Sequence, residues 1–377
     1  MLFLLIWFIS VQLILAIAVP ALGQVFEFES AAVYASPWFL IGVQLVVLML
    51  PLLLWLKIKR DKFAPNMPNW SLGTKNIILI VALSFLLQPV MMTISGISSL
   101  FFTNYVSETM YSLMNYPLWL ILLAMAVTPA VCEELVFRGY IQSQHRDRSL
   151  KQAALLNGLF FAIIHLSMQQ FAYAFIMGIV FFVMVHYTRS IWAGILPHFI
   201  VNASQGMLAR WAFSSLDEGA AQDAAYAAEQ FENLFPGISL DVLAIIIIGV
   251  FALCLSPVII ILFREFIKHN RQRIAAAEWQ TARTEGYVSD ENNQAPSGNA
   301  NISSFDADNM SEQVNNFGVS TSSDGDGFIV GSDSTLQIYP QEKPPLIGGY
   351  TIAIVVVFVL FQLLMHVLPA MLYSLGQ

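Results

Sequence analysis

Apolar runs of about 16 to 25 residues recur along the chain at 2–22, 37–56, 76–101, 118–140, 152–167, 170–187, 191–209, 242–263 and 349–374. Runs of this length approach the ~20 residues that a helix needs to cross a hydrocarbon core ~30 Å thick. Within lipid, every backbone N–H and C=O must be satisfied inside the structure, which leaves helices or closed barrels. Barrel strands are short and alternate apolar with polar residues, whereas these runs are continuous. The fold expected is therefore all-α: a polytopic integral membrane protein of about nine transmembrane helices. Composition agrees, since 57% of the residues are hydrophobic and only 11% charged, with a mean hydropathy of +0.67, far from the averages of soluble domains.

The first run, "MLFLLIWFISVQLILAIAVPALG", lacks the basic flank of a signal peptide and has too long an apolar core, so it is read as an uncleaved anchor. Lys and Arg set the orientation. With the N-terminus inside, sixteen of the seventeen basic residues fall in or beside inner segments, and Arg210 alone lies outside. The outer segments are acidic or neutral, notably 211–241 with "SLDEGAAQDAAYAAEQFEN". The chain then divides into N-terminal helices (1–116), a core (117–210), an outer acidic loop (211–241), a span (242–263), a polar cytoplasmic linker (264–348) and a last span (349–377) that ends outside. The linker opens with the basic, helix-capable "REFIKHNRQRIAAAEWQTAR", expected at the inner membrane surface. It continues in Asn, Ser, Asp and Gly, too polar to bury a core and read as disordered. Its "DGDG" at 324–327 lacks the ligands of a calcium loop. The net charge of −8 comes largely from loops and suggests no nucleic-acid partner. Cys132 and Cys254 sit in separate apolar runs and read as small hydrophobes. The glycosylation patterns at 202–204, 301–303 and 309–311 fall in a span or on the inner side and are discounted.

The buried polar residues are few. Glu133 and Glu134 are the only carboxylates in the expected spans, and the histidines there are His165, His186, His198 and His366. A charge at bilayer depth costs about 2.5 to 3.5 kcal/mol on insertion scales and needs a partner or a water-filled cavity. In a helix, Glu134 and Arg138 are i and i+4 with the acid first, the favourable order for an ion pair. Glu133 points about 100° away. One carboxylate is thus neutralised while its neighbour stays available. His198 and Asn202 share a face one turn apart, and Phe161 forms an aromatic shelf for His165. Counting ~1.5 Å per residue from Gln144, Lys151 and Arg189 as inner-surface markers places Glu133, His165 and His198 roughly 16, 21 and 14 Å deep. All three can meet near mid-membrane. His186, near the inner surface, and His366, alone, read as structural or interfacial. Pro129 and Pro197 precede the Glu pair and His198 and either bend their helices or are simply tolerated.

A carboxylate in low-dielectric surroundings, with His165, can bind and deprotonate a water, and His198 with Asn202 can donate to the oxyanion formed at a carbonyl. Those are the parts of peptide-bond hydrolysis without a covalent intermediate. No Gly-x-Ser-x-Gly or His-Glu-x-x-His pattern points to a serine hydrolase or a zincin.

"EELVFRGY", "FAIIH" and "HFIVN", in this order on successive apolar runs, resemble the three motifs of the CAAX prenyl protease and bacteriocin-processing (Abi) family of intramembrane proteases. The resemblance spans Pro117 to Gly206. It implies that Glu133 and His165 activate water, that His198 and Asn202 form the oxyanion site, and that Glu134 and Arg138 are the supporting pair. It also leaves open a zinc site of Glu133, His165 and His198 beside a metal-free water mechanism, which is favoured. The implied partners are membrane lipid and a membrane-associated protein or peptide substrate, in a membrane of the bacterial inner type. Nothing in the residues reads a prenylated C-terminus, so CAAX specificity is not expected. Three rival readings remain: polar residues serving as interhelical glue, a proton-coupled transporter, and a non-catalytic scaffold or immunity-type protein.

Overall fold

The computed structural model describes residues 2–27, 29–34, 36–59, 68–145, 148–215, 218–284, 349 and 351–362. The described residues are helical throughout, apart from turns and a single antiparallel bridge between Asn69 and Ser190. The elements are α1 (Leu2–Phe26), α2 (Ser30–Tyr34), α3 (Pro37–Lys59), α4 (Thr74–Ser99), α5 (Tyr105–Ser112), α6 (Leu118–His145), α7 (Leu150–Ile163), α8 (Met168–Thr188), α9 (Trp192–Ser215), α10 (Glu218–Leu234), α11 (Leu240–Thr284) and α12 (Thr351–Gln362).

Six of these, α1, α3, α4, α6, α8 and α11, are long and apolar enough to cross a membrane. Eight of the expected nine runs fall largely on helices and the described part of the ninth is helical, yet α7 and that described part, α12, are shorter than a span. Helix α9 has the length, at 24 residues, but interrupts its apolar surface with His198, Asn202, Gln205 and Arg210. Helical structure also extends beyond the expected spans. The acidic stretch 211–241 is largely helix, as the end of α9 and all of α10. The boundary drawn at 263/264 lies inside α11, one continuous helix of 45 residues. The remainder of the linker, with "DGDG", and His366 lie outside the described residues.

Helix α11 holds together past residue 263 because it docks on protein. Asn76 and Asn270, both fully buried, exchange amide hydrogen bonds of 2.9 and 2.7 Å. Each also donates to a backbone carbonyl of its own chain segment, Leu72 and Phe266 respectively. Arg273 donates to the Ser71 and Leu72 carbonyls, Arg271 to the Tyr187 hydroxyl, and Lys75 pairs with Glu265 at 2.7 Å. Two basic residues of this stretch, Arg271 and Arg273, thus engage the bundle. The same end gathers Pro68, whose carbonyl accepts from Ile191 N–H, and Trp70, whose N–H donates to the Arg189 carbonyl. At the opposite end of α9, Arg210 donates to the carbonyls of Met114 and Tyr116.

Two apolar clusters organise the interior. One joins α3, α6 and α7 through Val47, Leu52, Phe137, Phe160 and Phe161, with Ile354 and Phe358 of α12 packed on it. The other joins α4, α8 and α11 through Ile80, Leu83, Val185 and Phe266. Helices α7 and α8 approach backbone to backbone, and a Cβ at Gly178 would lie 2.7 Å from Gly158 Cα. Small residues at such crossings let membrane helices pack by van der Waals contact where no hydrophobic drive exists between them.

Candidate active site

Helix α6 is not a uniform α-helix. Widened π-helical turns at Leu123–Val127 and Leu135–Ile141 flank the α-helical segment Thr128–Glu134, a distortion often found at functional sites. Pro129 has no N–H, so an α-helical bond to Met125 four residues earlier cannot form. The Met125 carbonyl is instead capped from another helix by Asn202 Nδ2 at 3.1 Å. The proline therefore ties α6 to α9 at the level of the site.

Glu134 and Arg138 form the expected pair. Arg138 Nη1 donates to Glu134 Oε1 at 3.1 Å, and both side chains are fully buried. Arg138 Nη2 donates to the Gly178 carbonyl at 3.0 Å. The guanidinium lies among the rings of Phe161, Phe181 and Phe137, with its centre 4.5, 5.5 and 5.8 Å from their centroids, where cation–π attraction offsets part of its desolvation. Glu134 Oε1 also meets His198 Nδ1 at 2.9 Å. Space for this carboxylate comes from Gly194, one turn before His198, where a Cβ would collide with Glu134 Oε2.

Glu133, 5% exposed, faces elsewhere. Its Oε1 accepts from Gln44 Nε2 at 3.3 Å. Its Oε2 lies 4.0 Å from His198 Nε2 and has no hydrogen-bond partner among the described residues. His198 is held by Phe181, stacked at 5.4 Å, and by Phe161, edge-on at 5.9 Å. Phe161 also packs against His165, with centroids 5.1 Å apart, so one ring touches both imidazoles.

His165 lies just past the end of α7, where the chain turns through Leu166 at φ 47°, a left-handed conformation that costs a leucine about 1 kcal/mol. Its Nδ1 is 2.7 Å from the Phe161 carbonyl. A carbonyl only accepts, so Nδ1 carries a proton, and any lone pair the ring offers is on Nε2.

The structure thus brings Glu133, Glu134, Arg138 and His198 into direct contact. It links His165 to them through Phe161 and places Asn202 one turn further along α9. Among the described residues no group of three His, Cys, Asp or Glu is gathered closely enough to hold a metal ion. Glu133, His165 and His198 therefore do not fit a zinc site in this arrangement, with Phe161 between the two imidazoles. The sequence reading missed Gln44, Gly194 and Phe181. Of these only Gln44 left a signal, as a lone amide inside the apolar run 37–56.

These features define a class: a polytopic helical membrane protein with paired carboxylates and imidazoles enclosed between its helices. The comparison with protein families is more specific. Residues 115–204 match the family model described as type II CAAX prenyl endopeptidase Rce1-like, so the likeness to the CAAX protease family is shown for about a quarter of the chain, the part that carries all six motif residues. No curated protein and no solved structure matches.

Proposed function

We propose that the protein is an intramembrane endopeptidase that hydrolyses a peptide bond of a membrane-associated protein or peptide. One observation carries the chemistry. Both adjacent buried carboxylates leave Oε2 without a hydrogen-bond partner among the described residues. Glu134, however, is ion-paired to Arg138, bonded to His198 and has its Oε2 closed in against Gly194, whereas Glu133 has no cationic Arg or Lys partner and turns its Oε2 toward His198 Nε2. A buried carboxylate with an open oxygen is suited to general-base work.

In the reaction, Glu133 Oε2 takes a proton from water, assisted by the lone pair of His165 Nε2. The water oxygen adds to the scissile carbonyl carbon. His198, its Nδ1–H on Glu134 and a second proton on Nε2, donates to the oxyanion together with the remaining N–H of Asn202. The Glu134 carboxylate and the oxyanion then face the Arg138 guanidinium and the His198 ring protonated on both nitrogens, so the enclosed charges balance. As the C–N bond breaks, the proton held by Glu133 passes to the leaving amine, giving a carboxylate and an amine terminus. No step runs through a metal. Preorganised donors of this kind contribute about 10²–10³-fold each, and the base about 10²–10⁴-fold. The distribution of Lys and Arg supports an N-terminus and a 264–284 segment on the inner side of the membrane.

The test compares new peptide termini in membranes of cells expressing wild type or Glu133→Gln at matched levels. Termini present only with wild type nominate substrates and show by their sequences whether a CAAX-like end is recognised. If none depends on Glu133, proteolysis is refuted, and a scaffold or transport role takes its place.

A further inference from the structure

Gln44 lies outside the family match, on α3, at the last position before a π-helical turn at Leu45–Met49. That turn shifts the register of the helix as it passes α6, and it is beside this shift that the amide reaches Glu133. The amide makes a single described contact, from Nε2 to Glu133 Oε1. Its Oε1 is buried and, like Glu133 Oε2, has no hydrogen-bond partner among the described residues.

Two buried acceptors belonging to groups that already touch each other call for a donor, because a buried polar atom left unpaired costs about 1–3 kcal/mol. A water molecule supplies two O–H donors and is held when it has 2–4 polar partners. We infer that Gln44 is a positioning residue for the hydrolytic water: Nε2 fixes Glu133 Oε1, so that Oε2 stays turned toward His198, while the Gln44 carbonyl oxygen shares with His165 Nε2 the water proton that Glu133 does not take. One lone pair of the water oxygen is then aimed away from these acceptors, toward the substrate carbonyl. Apolar runs are poor hosts for a lone glutamine, and this geometry gives the residue a reason to be there. The inference rests on the water-activating reading of Glu133.

The experiment uses the full chain. Membranes from cells expressing wild type, Glu133→Gln, Gln44→Leu and Gln44→Met are compared for the rate at which new peptide termini appear after induction. A peptide spanning a terminus that requires Glu133 is then used for kinetics on purified protein in nanodiscs, with thermal unfolding of each variant measured alongside. A positioning role predicts that kcat falls 10- to 100-fold in both Gln44 variants with KM within about twofold and unfolding temperature unchanged. Loss of kcat in proportion to loss of folded protein would make Gln44 merely structural and overturn the inference. So would Glu133-dependent termini that appear at the wild-type rate in the Gln44 variants. If no terminus requires Glu133, the proteolytic reading itself fails and this inference falls with it, an outcome separate from the other two.

Discussion

Adding one methyl group at Gly194 tests the architecture of the buried charges without touching any charged residue. A Cβ there would collide with Glu134 Oε2 and lie 3.1 Å from both Glu134 Cδ and Val185 Cγ2. Helix α9 has no slack to absorb this, because His198 on the next turn is clamped between Phe181 and Phe161. Glu134 must rotate, and its Oε1 then leaves Arg138 Nη1, His198 Nδ1 or both. Breaking a buried pair so that one charge stays uncompensated costs about 3–5 kcal/mol, and the better helix propensity of alanine returns at most about 1 kcal/mol. Gly194→Ala should therefore destabilise the protein by about 2–4 kcal/mol. Gly42→Ala, on α3 with nothing within 4 Å of its added Cβ, should be neutral or stabilising by up to about 1 kcal/mol. SDS titration of the purified protein in mixed micelles, followed by tryptophan fluorescence, gives both values. A Gly194→Ala protein within about 0.5 kcal/mol of wild type, the range of unremarkable surface changes, would refute the confinement of Glu134 against α9.

Arg138→Lys should not rescue the ion pair, since a point-charge ammonium cannot span Glu134 Oε1 and the Gly178 carbonyl as the planar guanidinium does; a loss of about 3 kcal/mol or more is expected in the same titration. The Asn76–Asn270 pair invites a double-mutant cycle: either single change to leucine removes both hydrogen bonds between the buried amides and leaves the survivor with only its other partners, which should cost about 1–3 kcal/mol, whereas the double variant should recover much of that loss. Strict additivity in the cycle would show that the two amides do not depend on each other.

Much of this site follows from helical spacing, because its key contacts lie within single helices. The i, i+4 relation joins Glu134 to Arg138 and Phe161 to His165, and the 100° step separates Glu133 from Glu134; the structure places these side chains accordingly. What the spacing could not convey are contacts between helices remote in sequence. Gln44 reaches Glu133 across 89 residues and Asn202 reaches Met125 across 77, and the room beside Gly194 exists only once α9 has packed on α6. The number of spans is not fixed by apolar runs for a different reason. A run of apolar residues reports burial in lipid or in protein alike, and α7 is a helix of 14 residues with nine of them buried. The continuation of α11 was hidden because 264–284 is polar, and its docking depends on Asn76, 194 residues away.

That continuation has a mechanical meaning. At ~1.5 Å per residue, the 45 residues of α11 extend ~67 Å, about twice the thickness of a hydrocarbon core. Pro257 would interrupt such a rod, but the Leu253 carbonyl that it leaves without an N–H donor is taken by the Ser256 hydroxyl at 2.8 Å. The helix therefore works as a strut. Clamped at Asn270 and Arg273 to the start of α4, it makes a force applied beyond Thr284 act as torque on a helix that borders the same α8 from which Phe181 and the Gly178 carbonyl hold the buried charges.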